Sequence, residues 1–411
     1  MPLTASTFER DVVAESTNPS TDPLLSDADR AAVSGVDAPF AVDLVHRLRF
    51  TEEAFRVENP VLRDVLPVSG RGPNRLLVFL DGGCAEAWPD LAEQVAHYAE
   101  AHRDRLLLAG PTLTVPGGER AKNDRSVYET AIEAINDAGL CRQSFVLVIG
   151  GGAVLDAVGF AAATAHRGVR LIRLPSTTLA QADGGLGVKN GINAFGKKNF
   201  LGTFATPWAV INDRSVLRTL SDADFRCGFS EAVKVGLIKD AALFEEVAQE
   251  AGRVCRRDDA VTDSIIRRSA ELHLQHIVAR GDPFELTESR PLDFGHWSAH
   301  KLEQMTGFTL RHGEAVAIGV ALDVVYSSLL GMLDPMAAES ILRCLHELGF
   351  DLHHPVMADT SELLQGLTEF REHLGGELTI VLLRDIGEPV DVHEMDEVLV
   401  ARAIEHLAAW A

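Results

Sequence analysis

From Arg75 onward, short unbroken apolar runs alternate with stretches whose apolar residues recur every three to four positions. The runs LLVFL (76–80), LLLAG (106–110), FVLVIGGG (145–152) and VRLIRLP (169–175) are of strand length, and SVYETAIEAINDAG (126–139) carries helical spacing between two of them. Continuous apolar runs bounded by glycine and proline mark strands buried on both faces, so the alternation predicts an α/β domain built on a mostly parallel sheet. Beyond about Leu217 such runs nearly vanish. Long amphipathic patterns replace them, among them FSEAVKVGLIKDAALFEEVAQEAG (229–252) and EAVAIGVALDVVYSSLL (314–330), until the short run LTIVLL (378–383). The pattern predicts a loosely ordered extension over residues 1–40, an α/β domain over 41–216 and an all-helical domain over 217–411. A cleft between two such unlike halves is the expected place for a ligand.

Composition narrows the choice of ligand. Hydrophobic residues make up 46% and charged residues 24% of the 411, the balance of a globular protein with a sizeable core. Against 38 Lys+Arg stand 60 Asp+Glu, a net charge of −22 that repels nucleic acid and anionic membrane surfaces, so neither is an expected partner. An anionic substrate must then be held by a local cluster of cations. HRGVR (166–170) and VKNGINAFGKKNF (188–200) are such clusters, although the second reads equally as a solvated loop with ordinary lysines. The five cysteines are scattered, with no CxxC pair, which fits a reducing cytoplasm better than a disulfide framework or a thiolate metal site. The N-terminus has no apolar signal region and no run is long enough to span a bilayer, so a cytoplasmic enzyme is expected.

Two groups of residues carry chemistry. Gly150, Gly151 and Gly152 follow a buried strand and open a helix, which lets the backbone approach a pyrophosphate, with Asp156 expected on the first turn. The third glycine of the usual dinucleotide pattern is Leu155, so the segment also reads as a plain tight turn. Asp81, after LLVFL, is placed to accept ribose hydroxyls, and Glu119 and Lys122 lie on the loop PGGERAK; each also reads as a surface charge. The second group is Glu231 inside an apolar helix, His296 in LDFGHWSAH and His312 in LRHGEAVAIG. Two imidazoles and a carboxylate suit a catalytic zinc with an open coordination position, while singly His296 and His300 read as a packed helix face and Glu231 as a surface carboxylate.

Taken together, GGGAVLD, FAAATAHRGVRLIRLPSTTLAQADGGLGVKNGIN, GKKNFLGTF, GFSEAVKVGLIKD, LDFGHWSAHKLE and RHGEAVAIG closely resemble the dehydroquinate synthase superfamily of sugar phosphate cyclases, from about Leu76 to the C-terminus. The resemblance implies NAD on Gly150, Gly151, Gly152 and Asp156, assisted by Asp81, Glu119, Lys122, Ser176 and Thr177. It implies Zn2+, or Co2+ in its place, on Glu231, His296 and His312. Asp183, Lys189, Lys198, Asn199, Lys234 and His300 would surround a phosphorylated ketose, and Arg167 would reach the phosphate from the neighbouring subunit of a homodimer.

Departures from the family pattern bear on the substrate. Dehydroquinate synthases hold a substrate carboxylate with a lysine and an arginine, and those positions read here as Gln275 and Ser289, with Arg290 one residue displaced. Asp293 replaces an asparagine, adding an anion beside the site. FREHLGGELTIVLL stands where the synthases carry a DKK motif, leaving Arg371 and His373 as basic replacements. A dismantled clamp implies a substrate without the carboxylate, with sedoheptulose 7-phosphate the expected one. GDPFE (281–285) and RPLDFGHWSAHKLE (290–303) look most like 2-epi-valiolone synthases and the cyclases of Ebo-type clusters. The implied reaction is transient oxidation by NAD, phosphate elimination, re-reduction and aldol closure, with Lys234, Asp183, Glu285 and His300 as catalytic residues. The alternatives are a 2-epi-5-epi-valiolone synthase, a 3-dehydroquinate synthase, a metal-dependent polyol dehydrogenase, which leaves the HRG and GKKN cations unexplained, and an inactive scaffold, which leaves the full ligand set unexplained.

Overall fold

A parallel sheet doubly covered by apolar layers forms the first half of the fold. The computed structural model describes residue 38 and residues 41–68, 70, 72–279, 284, 291–373 and 378–410. It falls into two units, Met1–Leu44 and Val45–Ala411, and everything below belongs to the second. The proposed extension over residues 1–40, together with Glu285, Ser289 and Arg290, lies almost wholly outside the described residues.

The strands are β1 (Leu48–Thr51), β2 (Asn74–Asp81), β3 (Leu106–Leu108), β4 (Leu113–Val115), β5 (Phe145–Gly150), β6 (Arg170–Pro175), β7 (Lys189–Ala194), β8 (Lys197–Phe204), β9 (Ala209–Asp213), β10 (Ile380–Asp385) and β11 (Glu388–Val392). The main sheet runs β1-β9-β6-β5-β2-β3, with β4 beside the end of β2, and all its pairings are parallel. Side chains alternate across it with period two. Leu76, Val78 and Leu80 of β2 and Phe145, Leu147 and Ile149 of β5 face one core, while Leu77, Phe79, Val146 and Val148 face a second. That double burial explains why these strands read as unbroken apolar runs.

The longer helices are α1 (Leu91–Ala101), α2 (Arg125–Asp137), α3 (Gly152–Thr164), α4 (Asp222–Lys239), α5 (Ala241–Cys255), α6 (Asp259–Ala279), α7 (His296–Met305), α8 (His312–Leu329), α9 (Pro335–Glu347), α10 (Thr360–His373) and α11 (Glu397–Trp410). Residues of α2 and α3 fill the second core, and those of α4, α5, α7, α8 and α11 continue the first, so one apolar layer runs from the sheet into the helical half. The long pattern at 229–252 is two helices. The chain breaks at Asp240, whose carboxylate accepts hydrogen bonds from Ala242 N and Leu243 N and so caps α5.

Two strand pairs depart from the expected pattern. The Gly- and Asn-rich segment at 188–200 forms most of an antiparallel ribbon, β7 with β8. Its two-residue turn has positive φ at both Phe195 (55°) and Gly196 (72°), the conformation whose twist suits a hairpin. A Cβ on Gly191 would lie 2.7 Å from the Leu201 carbonyl oxygen, so glycine is needed for the strands to approach. The helical half is not all-helical either, because β10 and β11 form an antiparallel ribbon.

Candidate active site

Glu231 and Lys234 lie three residues apart inside α4, both fully buried. His296 opens α7 and His312 opens α8. Both imidazole Nε2 atoms point at one Glu231 oxygen, Oε1, at 3.6 and 3.5 Å, and Lys234 Nζ lies 2.5 Å from Oε2. The far nitrogen of each ring is engaged. His296 Nδ1 donates to the Phe294 carbonyl at 3.1 Å, and His312 Nδ1 donates to Glu303 Oε2 at 3.2 Å. Such outer bonds fix the tautomer that leaves Nε2 free to bind a cation.

Whether a metal fits is decided by the carboxylates. Donor atoms of Glu231, His296 and His312 lie within 4.8 Å of one another, as do those of His300, Glu303 and His312. Glu303 is already engaged, with Oε1 accepting from Lys198 Nζ at 2.8 Å and Oε2 from His312. Neither buried Glu231 oxygen has a hydrogen bond of good geometry: Oε2 is ion-paired with Lys234, while Oε1 faces only the two imidazole Nε2 atoms, a place that a divalent cation suits. The first set therefore fits zinc chemistry: one carboxylate, two imidazoles and an open position.

Charge is distributed sharply here. Burial alone would raise the Glu231 carboxyl, but Lys234 and the two imidazoles hold it well below the usual range. Burial would lower His312, yet Glu303 and Glu231 raise it to about 9. His300 is kept neutral, its pKa driven far down by burial and by His296. Lys234 is raised against its burial by Glu231, Asp183 and, more weakly, Asp293.

Asp183 sits in a π-helical turn, Ala180–Gly184, next to this cluster. Burial opposes its charge, but Lys234 brings its pKa down to about 2. Its Oδ1 is 2.6 Å from Nδ1 of His273, a buried residue of α6 absent from the sequence reading. Gln275, read there as the altered clamp position, is exposed. Residues two apart on a helix lie on nearly opposite faces, so the side chain that meets Asp183 is His273 and not Gln275. Glu303 was also missed; HKLE reads as ordinary helix surface, and only its spacing three residues after His300 places it on the site face.

The β7–β8 ribbon joins the two halves. Lys198 reaches Glu303 on α7 and lies 3.7 Å from Glu119 Oε1 on the nucleotide side. Lys122 pairs with Asp156 at 2.6 Å and donates to Asn199 Oδ1 at 2.8 Å. Asp156 is the fifth residue of α3, past the first turn where it was expected, and also faces Arg173 at 3.6 Å. At the strand ends, Asp81 accepts from Gly83 N at 2.8 Å and Gly151 N at 3.4 Å. Gly151 caps α3, and no atom stands within 4 Å of where a Gly152 Cβ would be, an open face for a phosphate at a helix N-terminus. Ser176 N bonds the Gly150 carbonyl at 2.9 Å, and Thr177 Oγ1 accepts from Ala180 N at 3.1 Å. Arg167, Lys189 and Arg371 are exposed, outside the buried cluster; the Arg167 backbone has φ 62°. No described helix is long and apolar enough to cross a membrane.

Models of the N-terminal and C-terminal parts of 3-dehydroquinate synthase match residues 112–227 and 228–371. The 3-dehydroquinate synthase of Xanthomonas campestris pv. campestris is 37% identical over 319 residues, 75% of this chain and 85% of that one. The 2-epi-5-epi-valiolone synthase of Streptomyces glaucescens is 32% identical over 356 residues, 86% of this chain and 88% of that one. The solved structure of ValA, the 2-epi-5-epi-valiolone synthase of Streptomyces hygroscopicus subsp. jinggangensis 5008 with NAD+ and Zn2+ bound, superposes with a TM-score of 0.82 at 26% identity, covering 92% of this chain and all of that one. With its parallel sheet, its helical half and these matches, the chain belongs to the dehydroquinate synthase superfamily of sugar phosphate cyclases.

Proposed function

We propose that this cyclase uses NAD and zinc to convert sedoheptulose 7-phosphate into a C7 carbocycle of the 2-epi-valiolone type, releasing phosphate. The observation that carries the choice of substrate is Asp293, which stands where the family pattern has an uncharged asparagine and whose negative charge adds to those of Glu231 and Asp183 in raising Lys234. A substrate carboxylate brought among them would meet repulsion, whereas ketose hydroxyls find acceptors. The His273–Asp183 pair supports the same reading, since the imidazole is already committed.

NAD and zinc, when bound, supply the reversible oxidation of a secondary hydroxyl and the polarisation that eases it. Gly150, Gly151, Gly152, Asp81, Ser176 and Thr177 would form the dinucleotide's seat, with Glu119, Lys122 and Asp156 as the ion-paired wall beside it. Glu231, His296 and His312 would hold the metal. Lys198, Lys189, Asn199 and neutral His300, with Arg167 from a second subunit, would gather the charge of the departing phosphate as the adjacent C–H proton leaves and the C–O bond breaks. Lys234, Asp183 and Glu285 would orient the ring-closing atoms and carry protons.

Incubation with NAD, zinc and either sedoheptulose 7-phosphate or the carboxylated seven-carbon phosphate of dehydroquinate synthases tests this directly. Phosphate release and carbocycle formation are expected with the ketose, and a kcat/KM more than a thousandfold lower with the acid, the cost of several kcal/mol for an unpaired carboxylate. Comparable kcat/KM on the acid would return the chain to the dehydroquinate synthases. NMR of the ketose product separates the 2-epi from the 2-epi-5-epi stereochemistry.

A further inference from the structure

Asp323 lies on α8, three turns beyond His312, in a stretch that is apolar all round. It is fully buried, and none of its described salt bridges or hydrogen bonds brings a cation to it. Instead Oδ2 accepts from Gly295 N at 3.0 Å and Oδ1 from the indole Nε1 of Trp297 at 2.9 Å. These two donors flank His296. Gly295 has φ 74°, and a Cβ there would lie 2.6 Å from Val320 N, so the turn is pressed against the α8 backbone. The Phe294 carbonyl that receives His296 Nδ1 belongs to the peptide whose nitrogen, Gly295 N, is bonded to Asp323. One carboxylate thus fixes both the peptide plane that orients the imidazole and the side chain that follows it.

We propose that Asp323 is a positioning residue for the metal site: it sets the direction of His296 through Gly295 and Trp297, touching neither metal nor substrate. A buried carboxylate with no cation costs stability that an apolar side chain would not, so the two bonds it makes are its reason to be there. The inference rests on the reading of Glu231, His296 and His312 as metal ligands.

The test uses the full chain as wild type, Asp323→Asn and Trp297→Phe. Zinc affinity is measured by competition with a chromogenic chelator, the visible spectrum of the cobalt-loaded protein is recorded, and NAD affinity serves as control. Asp323→Asn presents an amide hydrogen to one of the two donors and should weaken zinc binding about 10–100-fold. Trp297→Phe keeps the Gly295 bond and should weaken it about three- to tenfold, with an altered cobalt spectrum in both and NAD affinity within about twofold of wild type. Zinc affinity within twofold of wild type and unchanged cobalt spectra would overturn the proposal. If Asp323→Asn does not fold, Trp297→Phe decides alone by the same criteria. A wild-type chain that takes up neither metal would overturn the ligand reading itself.

Discussion

His312 answers to two carboxylate oxygens, one from Glu303 on one side and one from Glu231 on the other, and its loss should be confined to the chemistry. His312→Ala is expected to abolish turnover while NAD affinity, measured by calorimetry, stays within about tenfold, roughly 1.4 kcal/mol, because the glycine turn and Asp81 lie on strand ends far along the chain. A larger loss of NAD affinity would mean that the two sites are coupled. The residues proposed as ligands stand out in the sequence because their surroundings are odd: a carboxylate within FSEAVKVGLI and histidines beside Gly295 and Gly313 have few structural explanations. His273 was not, since HLQHIV offers two histidines and a glutamine within four residues and only the rotation of α6 selects among them. Asp323 had a signal that was passed over: it is the single charged residue in AVAIGVALDVVYSS.

Among the elements, α7 and α8 meet through bare backbone. A Cβ on Gly319 would overlap the Gly295 carbonyl oxygen, and Asp323 bonds the same turn. Burial pushes the Asp323 carboxyl up to about 7, with the Trp297 and Gly295 bonds offsetting only part of the cost; Tyr326, one turn on, is the ionisable side chain nearby on which its charge acts. Unfolded, the same carboxyl titrates near 4. Between about pH 4 and 7 the folded state holds the proton more tightly, so this contribution to stability is full below that window and lost as pH rises through it. Metal-free wild type should therefore lose ground to Asp323→Asn between about pH 4 and 7, by at most about 4 kcal/mol, in urea unfolding. Curves that stay parallel would show the carboxyl to titrate normally. The helices themselves were visible in the spacing of apolar residues, but this contact was not: two glycines twenty-four residues apart announce no partner. The β7–β8 ribbon was hidden for a related reason, as its turn depends on Phe195 in a left-handed conformation that composition disfavours.

Across the whole molecule, a chain of net charge −22 nonetheless sets a half-buried cation at the seam between the sheet and the helical half. Lys198, on a ribbon that belongs to neither the sheet nor the helices, faces Glu119 on one side and Glu303 on the other. Lys198→Ala should lower kcat/KM for the phosphorylated ketose about 10–100-fold, the worth of one charged hydrogen bond, with zinc content unchanged by elemental analysis. Undiminished kcat/KM would remove Lys198 from phosphate handling. The interlocked glycines of α7 and α8 bear on how such a protein changes over generations. His296 follows the Gly295 turn locked against Gly319, and His312 precedes Gly313, where a Cβ would overlap the Cys227 carbonyl oxygen, whereas His273, Asp183 and Lys198 ride on α6, the π turn and the ribbon, which carry no part of that lock. On the proposed reading, substitutions on those elements can change the sugar a descendant accepts, one side chain at a time, while the proposed metal set is inherited intact; a lineage that altered the metal first would have to rebuild a helix pair at once.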